Sequence, residues 1–173
     1  TEWRYDLFAG AEVHGSTLGI LGMGRIGQAI ARRGALGFGM KVIYHNRSRL
    51  PVETETELKA TWVDKESLFR QADHVVLVLP YSPAVHHIVG MAELKLMKKT
   101  ATLTNIARGG IVDESALIEA LQERLINGLK DVEQVFLNGH LTKRVPHNIN
   151  MSFNYVEGES LIMGIKGLAV SSG

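Results

Sequence analysis

Thr17-Leu18-Gly19-Ile20-Leu21 runs directly into Gly22-Met23-Gly24-Arg25-Ile26-Gly27, and helical periodicity follows at once. Glycines fall at that spacing by chance in many chains. A buried-strand pattern before them and an amphipathic helix after them narrow what the segment can be. Gly22 permits a tight turn, Gly24 lets phosphates approach the backbone, and Gly27 lets the helix pack close to the strand. The helix start presents free N–H groups and a partial positive charge to an anion. A glycine turn with no ligand is the alternative reading. The context favours a pyrophosphate site formed by Gly22, Gly24, Arg25, Ile26 and Gly27.

The remaining chain repeats the same rhythm. A helix is expected from about Ile26 to Leu36, with Ile26, Ala29 and Ile30 on one face and Arg32 and Arg33 elsewhere. Gly37 and Gly39 stop it. Met40–His45 reads as the next strand and Leu58–Val63 as a short third. Asp64 is placed to cap a helix that turns Leu68, Phe69 and Ala72 inward. His74–Leu79 is apolar on both faces, as a central parallel strand covered by helices should be. Pro80 and Pro83 end it. Helical stretches at 84–89 and 92–98, a strand at 101–106 and a helix capped by Asp113 complete the series.

This alternation predicts an α/β fold, a doubly wound parallel sheet of the Rossmann type with right-handed crossovers. It would form a single domain over 17–173 behind an N-terminal arm over 1–16. Beyond Gly128 the pattern weakens: 131–137 and 148–153 read as strands, 160–170 as helix or strand, and Ser171-Ser172-Gly173 as a frayed end.

The chain has 173 residues, enough for one domain with a full core. A net charge of +1 argues against nucleic acid or an acidic membrane as partner. With no cysteine, disulfides, thiolate catalysis and cysteine-held metals are excluded, which fits a reducing cytoplasm. No apolar run approaches the roughly 20 residues that span a bilayer. The segment Thr1-Glu2-Trp3-Arg4-Tyr5-Asp6 lacks the basic start and apolar core of a signal peptide. It does not begin with Met, as expected of a processed or truncated piece. His86 and His87, adjacent on an expected helix, have no third ligand at a suitable spacing, so no metal is expected; His14, His45, His74 and His140 show no spacing at all.

Roughly 20 residues past the glycine loop, an NAD enzyme usually places a carboxylate against the ribose hydroxyls. This chain has Asn46-Arg47-Ser48-Arg49 there. Asn46 does not repel a 2′-phosphate, Arg47 and Arg49 can pair with one, and the Ser48 hydroxyl can add a hydrogen bond. The pattern favours NADP as cofactor, with NAD as the alternative if the arginines are merely solvated.

A second motif, Asn105-Ile106-Ala107-Arg108-Gly109-Gly110, ends a strand and turns on two glycines. Strand C-termini face the ligand crevice in a parallel sheet, which aims Arg108 toward a bound nicotinamide. A cation there can hold a carboxylate bidentately and polarise a neighbouring carbonyl. The alternative is an arginine satisfied by nearby carbonyls.

Gly-Met-Gly-Arg-Ile-Gly, Leu79-Pro80, Leu96-Met97-Lys98 and Asn105-Ile106-Ala107-Arg108-Gly109 occur in this order. Together they resemble the D-isomer-specific 2-hydroxyacid dehydrogenases, most nearly the glyoxylate/hydroxypyruvate reductase branch, over about residues 12 to 128. The resemblance implies hydride transfer between the nicotinamide and a small 2-oxo acid. It assigns Arg108 to the substrate and Leu79, Pro80, Ile106 and Ala107 to the nicotinamide side of the cleft. A homodimer is implied too, with Trp3, Tyr5 and Phe8 as candidate interface residues; packing of these aromatics on their own domain is the alternative.

Two departures stand out. The family's substrate domain is built from sequence ahead of this region and from the C-terminal tail, whereas about 16 residues precede the first strand here. The expectation is a cofactor domain without that partner domain. The family also reads Gly-Leu-Asp-Val-Phe-Glu-x-Glu-Pro where this chain has Gly128-Leu129-Lys130-Asp131-Val132-Glu133-Gln134-Val135-Phe136-Leu137. Asp131 matches the Asp that binds the nicotinamide amide. Phe136 or Leu137 stands where the Glu that tunes the catalytic His belongs, with Glu133 as a displaced substitute. The family's Pro-His pair is met by Pro146-His147, whose imidazole suits proton exchange near neutral pH. A different alignment puts Asn154 at that position, and asparagine cannot carry the proton. A dinucleotide-binding pseudo-enzyme and a non-catalytic fragment therefore stand as alternatives to the oxidoreductase.

Overall fold

The structure, a computed structural model, describes residues 12–140, 143–145, 147–165 and 170. Its contacts group into two units, 1–113 and 114–173. Trp3, Tyr5, Phe8 and the final Ser-Ser-Gly lie outside the described residues.

The first unit alternates strand and helix: β1 Thr17–Leu21, α1 Arg25–Gly37, β2 Lys41–His45, α2 Val52–Leu58, β3 Ala60–Trp62, α3 Lys65–Gln71, β4 His74–Leu77, α4 Met91–Leu96 and β5 Thr102–Asn105. The five strands form one parallel sheet in the order β3-β2-β1-β4-β5. The chain starts at the centre, winds outward through β2 and β3, then crosses back to β4 beside β1. That reversal makes β1/β4 the switch point where such sheets leave a crevice at their carboxyl ends.

Side-chain alternation along β1 divides the core between two layers. Leu18 and Ile20 join Ala31 and Ala35 of α1, Val42 and Tyr44 of β2, and Leu58 of α2 in one buried cluster. Gly19 faces the other way, where a methyl group would stand 2.7 Å from the Cβ of Ala72 and 3.3 Å from Leu68, so α3 packs almost onto the strand. The Asp64 carboxylate accepts the Ser67 N–H at 2.8 Å and starts α3 as expected. Those contacts pull the Asp64 carboxyl below its ordinary range.

The buried face of α1 is Gly27, Ala31, Gly34 and Ala35. Ile26, Ala29 and Ile30 do share a face, which lines an open cleft; Ile26 is 62% exposed, while Ile30 is partly buried against the core cluster. Small residues turn inward because a helix this close to the sheet leaves no room for branched ones. Strand β4 ends at Leu77, two residues before the expected Leu79. The expected helix over 84–89 is a single 3-10 turn over Pro83–Val85, and His87 has a left-handed φ of 52°.

The second unit contains α5 Glu114–Leu129, an antiparallel pair of β6 Val135–Leu137 and β7 Met151–Phe153, and α6 Gly158–Gly164. Both strands fall inside their expected ranges and are shorter. Asn138 braces the pair, its Nδ2 donating to Asn150 Oδ1 and to Ser152 Oγ at 2.8 Å each. The Glu157 carboxylate caps α6 by accepting the Glu159 and Ser160 N–H groups, which resolves 160–170 as helix at its start. Residues 166–169 are outside the described set. Among the described residues no helix is long and apolar enough to cross a membrane.

Candidate functional site

The register of the sheet assembles the site. Leu21 pairs with His45 on one side and Leu77 on the other, and Leu77 pairs with Asn105. Four strands thus end at one level. Their hydrogen bonding runs one residue further: Gly22 donates to His45 O at 3.1 Å, Val78 to Leu21 O at 2.9 Å and Ile106 to Leu77 O at 3.2 Å. The loops after β1, β2, β4 and β5 therefore leave the same edge side by side. They carry the glycine motif, Asn46–Arg49, Leu79-Pro80 and Ile106–Arg108.

Gly22 has a φ of 106°, and a methyl on it would meet the Val78 carbonyl oxygen at 2.7 Å. Both facts demand glycine at the turn. A methyl on Gly27 would strike the carbonyl oxygen of Gly22, so loop and helix lie in direct contact. Among the described residues nothing lies within 4 Å of the Cβ position of Gly24, which leaves the approach to the backbone open. Among the described residues no side chain caps α1, and its first intrahelical bond is Gln28 N–H to Gly24 O at 2.9 Å. Its leading N–H groups are thus free for an anion. These features fit a dinucleotide pyrophosphate.

An open cleft of about 1170 Å³ extends from this helix start across the strand ends. Gly24, Arg25 and Ile26 form one wall; Leu79, Pro80, Ile106, Ala107 and Arg108 form the other. The cleft brings together the glycine loop and the second motif, some 80 residues apart in sequence. Tyr81 also lines it, a residue without a sequence signal of its own.

Arg108 stands on a braced loop. Asn105 Oδ1 accepts the Ala107 N–H and its Nδ2 donates to the Arg108 carbonyl, both at 2.9 Å. This side-chain turn explains why asparagine ends β5. Behind it, His87 N–H donates to Gly110 O at 2.8 Å, Val89 N–H to Ile111 O at 3.2 Å and Asp113 N–H to Val89 O at 2.9 Å. Ile111 and Val89 are fully buried. The Arg108 guanidinium is exposed and donates to the Ala107 carbonyl at 3.0 Å, leaving further N–H groups for a planar anion.

The loop after β2 differs from its expected form. Asn46 Oδ1 accepts the Met23 N–H at 2.7 Å, and Trp62 Nε1 donates to Asn46 O at 3.2 Å. Arg49 is held by Glu55: Nε lies 2.9 Å from Oε1 and 3.1 Å from Oε2, and Nη2 lies 2.7 Å from Oε2. Glu55 also accepts the Tyr44 hydroxyl at 2.6 Å, and that hydroxyl accepts the Leu50 N–H at 2.8 Å. Hydrogen bonds from Arg49 and Tyr44 hold the Glu55 carboxyl below its usual range, while burial and then the Glu55 contact push the Tyr44 phenol up to about 12. Arg47 and Ser48 are exposed and have no partner among the described residues.

Asp131 and His147 lie in the second unit, each exposed; Pro146 is outside the described residues. Asn154 donates its N–H to the Gln134 carbonyl at 3.0 Å. His86 and His87 stack with ring centroids 3.8 Å apart, so they are not spread along a helix. Among the described residues no group of three His, Asp or Glu could hold a metal ion.

A five-stranded parallel sheet with a glycine-wrapped helix start at its switch point defines a dinucleotide-binding α/β protein. Residues 1–136 match the family described as D-isomer specific 2-hydroxyacid dehydrogenase, NAD binding domain, and the chain belongs to that family. It is 45% identical over 179 aligned positions to glyoxylate reductase of Thermococcus gammatolerans, covering 99% of this chain and 53% of the relative. It is 50% identical to glyoxylate reductase of Thermococcus onnurineus over 126 residues, 73% of this chain and 37% of the relative. The holo crystal structure of Rhodotorula graminis D-mandelate dehydrogenase superposes with a TM-score of 0.63 at 37% identity, over 65% of this chain and 33% of that one. The chain spans about half the length, or less, of the relatives it matches. The Thermococcus gammatolerans match also extends through the C-terminal third, where the sequence pattern had faded.

Proposed function

We propose that this chain binds NADP(H) and supplies the cofactor half of a site that reduces a small 2-oxo acid such as glyoxylate or hydroxypyruvate. One observation carries the reading: an uncapped helix start and a braced, exposed Arg108 face the same cleft across β1 and β4. The bound nicotinamide supplies a hydride to the substrate carbonyl carbon. Arg108 holds the substrate carboxylate bidentately and withdraws charge from the carbonyl oxygen. Leu79, Pro80, Ile106 and Ala107 exclude water on the nicotinamide side, and Asp131 binds the nicotinamide amide. His147 gives the proton that completes the hydroxyl. Arg47 and Ser48 select the 2′-phosphate. Two copies form the working unit, as its family resemblance implies.

The relatives named glyoxylate reductase support the substrate class. A second reading, dinucleotide binding without turnover, is favoured by Phe136 and Leu137 standing in strand β6 where the family has its Glu.

NADPH and NADH titrations followed by cofactor fluorescence, then glyoxylate addition followed by loss of reduced-cofactor absorbance, test both. The expected result is tighter binding of NADPH and turnover in the full-length protein that falls by about 100-fold or more in Arg108→Ala, as loss of a charged carbonyl-polarising donor does. Binding without turnover in the full-length protein would overturn the enzyme reading. Turnover unchanged in His147→Ala would remove that residue as proton carrier.

A further inference from the structure

Glu55 sits six residues beyond Arg49, in α2, with its side chain only 7% exposed against 60% for Arg49. Three hydrogen bonds from the Arg49 guanidinium go to its two oxygens, and Tyr44 supplies a further donor from the strand below. We infer that Glu55 is the positioning residue of the cofactor-selecting loop: it removes Arg49 from the phosphate-reading set and leaves Arg47 and Ser48 alone at the tip. The inference rests on reading the cleft as a dinucleotide site.

Competition for one guanidinium decides the matter. A 2′-phosphate arriving at the loop could draw Arg49 only by displacing its three hydrogen bonds to Glu55, a competition that Arg47 does not face. Glu55 is buried, so surrendering Arg49 would leave its carboxylate out of water with a single phenolic donor. Arg49 therefore stays with Glu55 when the ligand binds. Its charge is cancelled at short range, and its Nε and Nη2 are committed. The same bonds hold the far end of the loop to α2, while Asn46 holds the near end to Met23. Between the two pins, Arg47 and Ser48 form a short exposed tip with no partner to give up among the described residues.

The test is a set of dissociation constants for NADPH and NADH, measured by cofactor fluorescence on the unsubstituted protein and on Arg47→Ala, Arg49→Ala, Glu55→Gln and the double variant Glu55→Gln/Arg49→Ala. Arg47→Ala is expected to weaken NADPH about tenfold or more and leave NADH unchanged, as loss of a charge-assisted bond does. Arg49→Ala is expected to change the NADPH-to-NADH ratio by less than about twofold, within the range of a screened charge. Glu55→Gln keeps the side-chain shape and frees Arg49, so NADPH binding should tighten several-fold, and the gain should vanish in the double variant. Arg49→Ala weakening NADPH as much as Arg47→Ala would overturn the inference alone, as would an unchanged ratio in Glu55→Gln. If Glu55→Gln does not fold, the Arg49→Ala ratio decides. Saturable binding of neither dinucleotide by the unsubstituted protein would overturn the cleft reading and the inference together.

Discussion

The Met23 N–H donates to Asn46 Oδ1 at 2.7 Å, joining the glycine loop to the loop after β2 across the β1–β2 pair. Met23 is 1% exposed, so water does not replace that acceptor. The two ends of the Asn46 amide differ in what they meet. Its oxygen holds the turn of the glycine loop, and its Nδ2 has no partner among the described residues.

Asn46→Leu strands the Met23 donor and should cost about 1–3 kcal/mol, the penalty of an unsatisfied buried group. NADPH and NADH should weaken alike, because the damage is to the loop and not to phosphate selection. Asn46→Asp keeps the acceptor and adds a charge beside the 2′ position. It should leave the denaturation midpoint within error and shift preference toward NADH. Urea unfolding and fluorescence titration of both dinucleotides check the pair; an Asp variant that favours NADPH more strongly would contradict the placement.

Gly27 and Gly34 both lie on the buried face of α1, yet alanine should separate them. At Gly27 the added methyl meets the Gly22 carbonyl, which is backbone and cannot swing aside. At Gly34 it meets Leu18 Cδ2 at 2.7 Å, the end of a side chain that can rotate. The helix gains up to about 1 kcal/mol from Gly→Ala in either case. Gly34→Ala should therefore fall within about 1 kcal/mol of the parent, and Gly27→Ala should lose about 1–3 kcal/mol through overpacking. Gly27→Ala should also lose most dinucleotide affinity, since the pyrophosphate turn must move. Urea midpoints of the two variants give the ranking directly.

The sequence made β1, the glycine turn and α1 legible because steric need fixes residue type there: Gly22 has a positive φ and Gly27 has no room for a methyl. Asp64 was legible for a similar local reason, its carboxylate reaching an N–H three residues on. Periodicity grouped Ile26, Ala29 and Ile30 correctly but could not say which face met the sheet, since two small-residue turns and one branched-residue turn are both periodic. The capture of Arg49 was not legible. It needs Glu55 and Tyr44 brought together from a helix and a strand, and that geometry exists only once α2 is folded back on β2. Asn105 belongs to the second motif, yet its work as a turn-forming amide shows only in its two hydrogen bonds.

Acid stability should depend on Asp73. Its Oδ1 accepts Lys98 Nζ at 2.8 Å and its Oδ2 accepts the Thr17 N–H at 2.9 Å, linking the segment before β5 to the start of β1. The Lys98 contact first, then the Thr17 N–H, lower its carboxyl below the ordinary value. The unfolded chain, with Asp near about 3.9, takes up the proton first as pH falls. The stabilisation is thus present above about pH 4 and is lost as pH drops through the lower folded value. Asp73→Asn should be less stable at pH 7 and show a shallower decline between about pH 5 and pH 2. Urea midpoints at several pH values measure the difference; parallel curves would remove Asp73 from the acid transition.

Alkaline stability should depend on Tyr44, and with the opposite sign. The fully buried phenol is pushed up to about 12, against about 10 in the unfolded chain. Burial disfavours the phenolate, and Glu55 already holds a negative charge against the hydroxyl oxygen. As pH rises the unfolded chain loses this proton first. The stabilisation is complete below about pH 10 and is lost as pH climbs through the folded value near 12. Tyr44→Phe removes this titration and also leaves the Leu50 N–H without its acceptor, so it should be less stable by about 1–3 kcal/mol at pH 8. Its stability should then fall less steeply than the parent's between pH 10 and 11.5, where other tyrosines and lysines titrate equally in both proteins. Guanidinium unfolding across that range isolates the difference. If the two slopes coincide, Tyr44 titrates normally in the folded protein, and the Tyr44–Glu55–Arg49 arrangement is looser than its hydrogen bonds imply.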